Sequence, residues 1–525
     1  MKTKITFNIK CALILFSGLL ISEKSFTQAL QFNPQWNETG TPFSHTWEGY
    51  ASVDQAYWLE HKNVLEQIEL AHKELKVNNI RTVGMLDDAL SVVGNDPKTW
   101  RDKDRTPRLN FRRIDNIFES LLSMGVNPVV STNFMPTLMA KNPVLVFKTG
   151  SSSFPREYKE WENLVFELTK HLVDHFGIEV VKKWDFEVWN EPNLDYFWQE
   201  ANKQEFFKLW EITYRAIKSV NPEIRIGGPT TARAEWIPEF IEFGRKNNCP
   251  ADYIIVHIYN NDSENSALSP FDGPQSEKIN KSPNYLTAVV KGARKQMDDL
   301  GYKGELHFNE WGRSWYPTDE IRDTQYEAAF IAKSMVESSQ YADRLTYWCL
   351  TDIFDQAGFA AEAFYGGFGM FSMDGLKKPA YKAFELLGKL GDKKITIKGD
   401  TKNVLENAIA TKSENGFQFM FYALGNDFKP GDQVMKRTVS VLLPQNAKTE
   451  NIAIYQVGDT ENNVVNAWSK MGKPTYLKKA ELVELQKMNV LKKSTEKFLI
   501  EKTKAGNILK FEAELPGVTL VEINK

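Results

Sequence analysis

The chain has 525 residues, enough for more than one domain, and 42% of them are hydrophobic. Its 65 Lys and Arg against 68 Asp and Glu leave a formal charge of −3, which gives no basis for nucleic acid or an anionic membrane as partner. Three cysteines at unrelated spacings exclude a disulfide framework and a zinc-binding cysteine motif.

Residues 1–28 read as an export signal. Lys2, Lys4 and Lys10 form the basic end, and an apolar run follows from Cys11 to Ile21, broken only by Ser17 and Gly18. The polar stretch Ser22 to Gln28 then leads to the mature start. The run is short for a membrane span, and Cys11 precedes it, where it is badly placed for a lipid anchor. The expectation is a secreted or periplasmic protein without a membrane anchor, with Cys249 and Cys349 as two buried thiols.

From about residue 60 to 390, helical patterns alternate with short apolar runs. Leu59–Leu75 reads as a helix before the strand Asn79–Gly84. Ile114, Ile117, Phe118, Leu121 and Leu122 mark one helix face before the strand Val126–Thr132. Tyr158–Phe176 carries Trp161, Leu164, Val165, Leu168, Leu172 and Phe176 on one face and leads into Trp184–Trp189. Phe206–Ser219 precedes Ile224–Pro229, and the runs Tyr253–Tyr259, Glu305–Asn309 and Leu345–Leu350 complete the set. About eight strands alternating with helices predict a parallel sheet, read here as a (β/α)₈ barrel over residues 29–392. An open doubly wound sheet is the competing arrangement, and its Gly-rich phosphate loop is missing. After residue 392 short β-rich runs appear, including Phe417–Tyr422, Val439–Leu443, Ile452–Val457 and Val518–Ile523. They predict a β-sandwich over residues 393–525, packed closely on the barrel and interrupted by one helical insert, Lys478–Leu491.

Two of the barrel strands end in carboxylates. Trp184-Asp-Phe-Glu-Val-Trp-Asn-Glu-Pro-Asn-Leu places Glu191 directly after Asn190, and Glu305-Leu-His-Phe-Asn runs into Glu310 and Trp311. A pair of carboxylates set among aromatics suits glycosidic bond hydrolysis, which needs one carboxyl protonated and one ionised at the same pH. Glu191 is assigned as general acid/base and Glu310 as nucleophile, the charge of Glu310 raising the Glu191 pKa. Asn190 is a candidate donor to the sugar 2-hydroxyl. His257 and Tyr259 share one strand face by the period-two rule and are candidates beside the pair, Tyr259 as a donor to Glu310. Trp348 could floor the sugar site, and Asn309 and Trp311, which flank the nucleophile, are further candidate substrate-binding residues. His171 and His175 stand one helical turn apart without an apparent third ligand, so a solvated helix face is the expected reading. Asp87 and Asp88 follow an early strand, where they could hold sugar hydroxyls or cap a loop.

In order along the chain, Phe134-Met-Pro, Phe186-Glu-Val-Trp-Asn-Glu-Pro-Asn-Leu, Phe197-Trp198, Gly227-Gly-Pro, His257-Ile-Tyr259, Glu310-Trp311, Tyr347-Trp348, Gly366-Gly-Phe-Gly and Lys378-Pro-Ala-Tyr-Lys-Ala-Phe form a specific set. Through them the chain resembles glycoside hydrolase family 39, which includes β-xylosidases and α-L-iduronidases. The resemblance implies a barrel with a β-sandwich, retention of configuration, Glu191 as acid/base and Glu310 as nucleophile. It also implies no metal and no organic cofactor. Two positions depart from the family's pattern: Val83 stands where xylosidase members usually carry His, and Asp355-Gln356 where paired acids are usual.

The function expected is a retaining β-xylosidase acting on xylo-oligosaccharides or a related polysaccharide. α-L-iduronidase is the alternative, and its substrate carboxylate calls for Arg or Lys. Residues 345–375 contain neither, leaving Arg233 and Arg313 as candidates. A non-catalytic carbohydrate-binding protein on the same scaffold would be marked by loss of one catalytic carboxylate, and both are present.

Overall fold

The structure is a computed structural model that describes residues 29–94, 108–262, 268, 282–425, 428–445, 447–495 and 497–524. The export-signal reading of residues 1–28 and most of the loop from 262 to 282 lie outside the described residues.

Parallel strands alternating with helices form a mixed α/β body. A six-stranded parallel sheet runs in the spatial order Arg344–Tyr347, Glu305–Gly312, Tyr253–Tyr259, Arg225–Thr231, Asp185–Val188 and Val130–Thr132. A three-stranded parallel sheet holds Gly49–Gln55, Val77–Val83 and Asn127–Pro128. Val129 separates Asn127–Pro128 from Val130–Thr132, and its N–H donates to Ile80 O at 2.8 Å, so one strand serves both sheets. At the other seam Leu345 N donates to Thr46 O at 2.9 Å, and Leu350 N donates to Ser52 O at 2.8 Å.

These strands are covered on both faces, which explains their near-continuous apolar sequences. Every residue of Tyr253–Tyr259 and of Asp185–Val188 is buried. The covering helices have narrow apolar stripes. Arg112–Ser123 buries Ile114, Ile117, Phe118 and Leu121, and Tyr158–Phe176 buries Trp161, Leu164, Val165, Leu168 and Leu172. Gly227 is required by its neighbour, because a Cβ there would lie 2.2 Å from the ring of Tyr253. That ring reaches across the strand to donate its hydroxyl to Phe186 O at 2.7 Å.

The C-terminal part folds into two sheets around one apolar core. The first has the order Ile397–Gly399, Leu30–Pro34, Met435–Leu442, Gly506–Leu515 and Leu499–Thr503. The second has the order Thr41–Pro42, Lys393–Ile395, Glu406–Ser413, Gly416–Ala423, Gly517–Asn524 and Ile452–Val457. Phe32, Phe419, Phe421, Val441, Phe511 and Val521 meet in the core that both sheets share. Here the boundary drawn from sequence needs correcting. Leu30–Pro34 and Thr41–Pro42 pair with C-terminal strands, not with the parallel sheet, and Leu30–Pro34 lies parallel to Met435–Leu442. The helical insert is also larger than expected, with Val464–Lys470 preceding Lys479–Gln486. Cys249 and Cys349 are buried free thiols.

Candidate active site

A cavity of about 350 Å³ opens at the C-terminal ends of the parallel strands, with Asn190, Glu191, Tyr259, Glu310 and Trp348 in its wall. Glu191 stands in the turn after the strand Asp185–Val188. Both Trp189 and Glu191 take left-handed backbone, with φ of 66° and 46°. Such conformations cost on the order of 1–3 kcal/mol each and persist where the surroundings hold them. Here Trp189 packs edge-on against Trp198 at 4.8 Å, and Glu191 N donates to Thr230 O at 2.8 Å. Asn193 exchanges two hydrogen bonds of 2.9 Å with the backbone of Ala232, which ties the turn to the end of the next strand.

Glu310 lies within the strand Glu305–Gly312, where the pairing with Tyr253–Tyr259 slips by one residue, so that His257 faces Glu310 after Val256 faced Phe308. This bulge re-aims the side chains. Asn309 points into the interior, and its amide donates to Glu187. Trp311 is sent the other way: it is fully buried, meets Tyr347 edge-on at 5.3 Å and does not line the cavity. The placement of Trp311 and Asn309 against the sugar is therefore corrected. Trp311 belongs to the packing behind the sheet, and Asn309 to the layer beneath the cavity.

One oxygen of Glu191, one of Glu310 and a ring nitrogen of His257 all lie within 4.8 Å of one another. His257 Nδ1 is 3.0 Å from Glu191 Oε1 and 3.5 Å from Glu310 Oε2. Tyr259 donates its hydroxyl to Glu310 Oε1 at 2.9 Å. Two carboxylates and an imidazole are donors that a cation could use, and the cation facing them is a guanidinium: Arg81 Nη1 donates to Glu310 Oε2 at 2.9 Å. Arg81 also donates through Nη2 to Asn190 Oδ1 at 2.7 Å and through Nε to Glu187 Oε1 at 3.0 Å. Ser131 completes the layer, donating to Glu187 Oε1 at 2.6 Å.

Burial pushes the Glu191 carboxyl up to about 7, against the pull of Arg81 and Arg233. The direction matches the sequence-based expectation, but the cause is loss of solvent and not the charge of Glu310. Glu310 is also raised by burial and by the Glu191 charge, while His257, Arg81 and the Tyr259 hydroxyl oppose the rise. Burial lowers His257 to about 4, which keeps the imidazole neutral at neutral pH. Burial and the Glu310 charge drive the Tyr259 hydroxyl well above its usual range, so it remains a donor.

Sequence reasoning gave no role to Arg81, which lies inside the strand Asn79–Gly84, and it missed Glu187 and Ser131. A carboxylate inside the apolar strand Asp185–Val188 was the available signal, since a buried charge demands a partner. The cavity wall also includes Val83, Phe147, Phe197, Arg233, Trp315 and Gln356. Gln356 donates to the buried Asp54, and Asp355 accepts from the Tyr57 hydroxyl at 2.7 Å. Arg313 lies outside the cavity lining, bonded to Glu327 at 2.9 Å and paired with Asp319. Asp87 accepts from the Thr149 hydroxyl at 2.9 Å, and Asp88 accepts from Thr137, so both brace loops.

Paired carboxylates above a parallel α/β sheet, with a cavity sized for small ligands, define a carbohydrate-cleaving enzyme as the class. The family model for "Glycosyl hydrolases family 39" matches residues 31–503, and the chain belongs to that family of glycoside hydrolases. A β-xylosidase of Caldicellulosiruptor saccharolyticus is 33% identical over 431 residues, spanning 82% of this chain and 85% of that protein. A β-xylosidase of Geobacillus stearothermophilus is 29% identical over 438 residues, spanning 83% and 84%. Among solved structures, a monomeric β-xylosidase from Caulobacter crescentus CB15 superposes with a TM-score of 0.81 at 25% identity, covering 94% of this chain and 99% of that one.

Proposed function

We propose that the protein is a retaining β-D-xylosidase that removes xylose from xylo-oligosaccharides by double displacement. The carrying observation is the closeness of Glu191 and Glu310, whose nearest donor oxygens fall within 4.8 Å. Retaining glycosidases hold their carboxyl groups about 5–5.5 Å apart, whereas inverting enzymes leave room for water at about 6.5–9.5 Å. Glu310 attacks the anomeric carbon while Glu191 protonates the leaving oxygen. Glu191, now ionised, then takes a proton from the water that releases the sugar from Glu310.

Electrostatics support this division. Glu310 receives hydrogen bonds from Arg81 and Tyr259, which favour its ionised form, whereas among these neighbours Glu191 contacts only a neutral His257. Asn190, held by Arg81, borders the cavity beside Glu191, where it can meet the sugar 2-hydroxyl. Xylose as substrate draws support from the β-xylosidase relatives and from the cavity's charge. Arg233, the one Arg or Lys among the described cavity-wall residues, is ion-paired with Glu235 at 3.0 Å, which speaks against a uronate and so against the iduronidase alternative.

The eight parallel strands among the described residues, bonded at both seams, are read as a (β/α)₈ barrel, and the two C-terminal sheets as a β-sandwich. Residues 1–28 are read as a cleaved export signal. The test is turnover of chromogenic β-D-xyloside, α-L-iduronide, β-D-glucoside and α-L-arabinoside, with proton NMR of the first-formed anomer. Xyloside turnover with a β-anomer product, lost in Glu191→Ala and Glu310→Ala, is the expected result. An inverted product, or hydrolysis surviving Glu310→Ala, removes the proposal.

A further inference from the structure

We propose that Asp115, His171 and His175, with Glu119 as a fourth donor, form a site for a divalent transition metal of the zinc type that clamps two neighbouring helices. None of the four residues lines the cavity, and the glycosidase chemistry uses none of them. His171 and His175 lie one turn apart on the helix Tyr158–Phe176, with ring planes 15° apart and centroids 5.7 Å apart. The helix Arg112–Ser123 answers with Asp115 and Glu119, also one turn apart. His171 Nε2 is 2.7 Å from Asp115 Oδ1, and His175 Nε2 is 2.9 Å from Glu119 Oε1. The donor atoms of Asp115, His171 and His175 all fall within 4.8 Å of one another.

Several features separate this cluster from two ordinary ion pairs. Both imidazoles offer the same nitrogen, Nε2, toward the same neighbouring helix. Each ring is positioned by an aromatic neighbour, His171 by Phe111 at 5.0 Å and His175 by Phe176 at 4.5 Å. Two neutral imidazoles and two carboxylates balance a dication in charge, and a mixed nitrogen and oxygen set suits zinc, copper or nickel better than calcium or magnesium. A tetrahedral zinc with bonds of about 2.0–2.2 Å sets its ligand atoms ~3.3 Å apart. The contacts of 2.7 and 2.9 Å already lie below that spacing, and Glu119, outside the set that meets within 4.8 Å, must move inward on binding to complete it. Asp115 is 15% exposed and His175 39% exposed, so an ion reaches the site from solvent and finds one sheltered carboxylate.

The experiment is calorimetric titration of the EDTA-treated mature protein with ZnCl₂, with thermal melting alongside. The expected result is saturable binding of about one ion per chain and a zinc-dependent rise in Tm. His171→Ala and Asp115→Asn are each expected to weaken binding more than about tenfold, and the double variant His171→Ala/His175→Ala to abolish it. Glycosidase activity and circular dichroism report that the variants are folded, and Glu119→Gln offers a milder removal of a donor. Absence of saturable binding by the unaltered protein overturns the proposal. So does unchanged binding by the double variant, which would place the zinc on other side chains.

Discussion

Arg81 donates to Glu310 across 2.9 Å from a side chain that is 1% exposed, so the proposed nucleophile rests on a guanidinium cut off from water. Burial alone would lower the Arg81 pKa, but Glu187 and Glu310 outweigh it and hold the charge. Replacing Arg81 by Leu strands both carboxylates. Breaking a buried pair from one side costs about 3–5 kcal/mol, and losing one preorganised electrostatic contact costs about 10²–10³ in kcat. Urea unfolding and kcat on an aryl xyloside should both register the change. Unaltered stability would mean that Glu187 and Glu310 find other partners.

Burial places the Glu191 carboxyl at about 7, which in the proposed mechanism sets the alkaline limb of the rate profile. A general acid must be protonated, so kcat/KM is expected to hold at mildly acidic pH and fall as pH rises through about 7. Stability follows the same group. Its folded pKa lies above the ordinary carboxyl value of 4.5, so its contribution is complete below that value and is lost as pH rises toward 7. The shift corresponds to something on the order of 3 kcal/mol. Glu191→Gln should flatten the stability slope between those limits. It should also spare the first chemical step for aryl xylosides whose leaving groups need no proton. A kcat/KM profile with no alkaline limb near 7 would separate Glu191 from the acid role.

The alternation of strand and helix was legible because covered parallel strands leave long apolar runs, as in Tyr253–Tyr259. Glu191 and Glu310 were legible for a different reason, as charges at the ends of such runs. The charged layer beneath them was harder to see, because Arg81 and Glu187 are 106 positions apart and meet only once the strands close on each other. Trp311 was misplaced because a one-residue slip in pairing cannot be read from alternation. Leu30–Pro34 was assigned by proximity in sequence, yet it pairs with the distant strand Met435–Leu442, Leu30 facing Val439. The third donor beside His171 and His175 was hidden in the same way, since Asp115 lies on another helix.

Trp315 is 46% exposed, borders the cavity and packs against Tyr316 with centroids 4.5 Å apart. An exposed indole at the cavity mouth offers a flat apolar face to a sugar unit beyond the one being cleaved. Trp315→Ala should raise KM for xylotriose by about tenfold, equivalent to ~1.4 kcal/mol, while kcat/KM for an aryl xyloside changes little. Equal losses on both substrates would place the indole against the cleaved sugar itself.

The C-terminal part reaches the active site through a loop. Gln356 and Phe368 border the cavity from the segment between Thr351 and Phe371. The same segment sends Phe364 against Trp468 of the helix Val464–Lys470, with ring centroids 5.3 Å apart. Asn489 adds a polar tie just beyond it, donating to Gly375 O at 2.9 Å and accepting from Lys377 N at 2.9 Å. These contacts predict that Trp468 positions the cavity wall. Emptying its site in Trp468→Ala should cost about 3–5 kcal/mol of stability and free the loop that carries Gln356. KM for xylosides is then expected to rise more than kcat falls, because Glu310 stands on a strand and Glu191 in the turn after another, both outside that loop. Trp468→Phe keeps an aromatic face against Phe364 and should restore most of the KM. A fall in kcat without a change in KM would show that the contact acts on Glu191 or Glu310 instead of on the cavity wall.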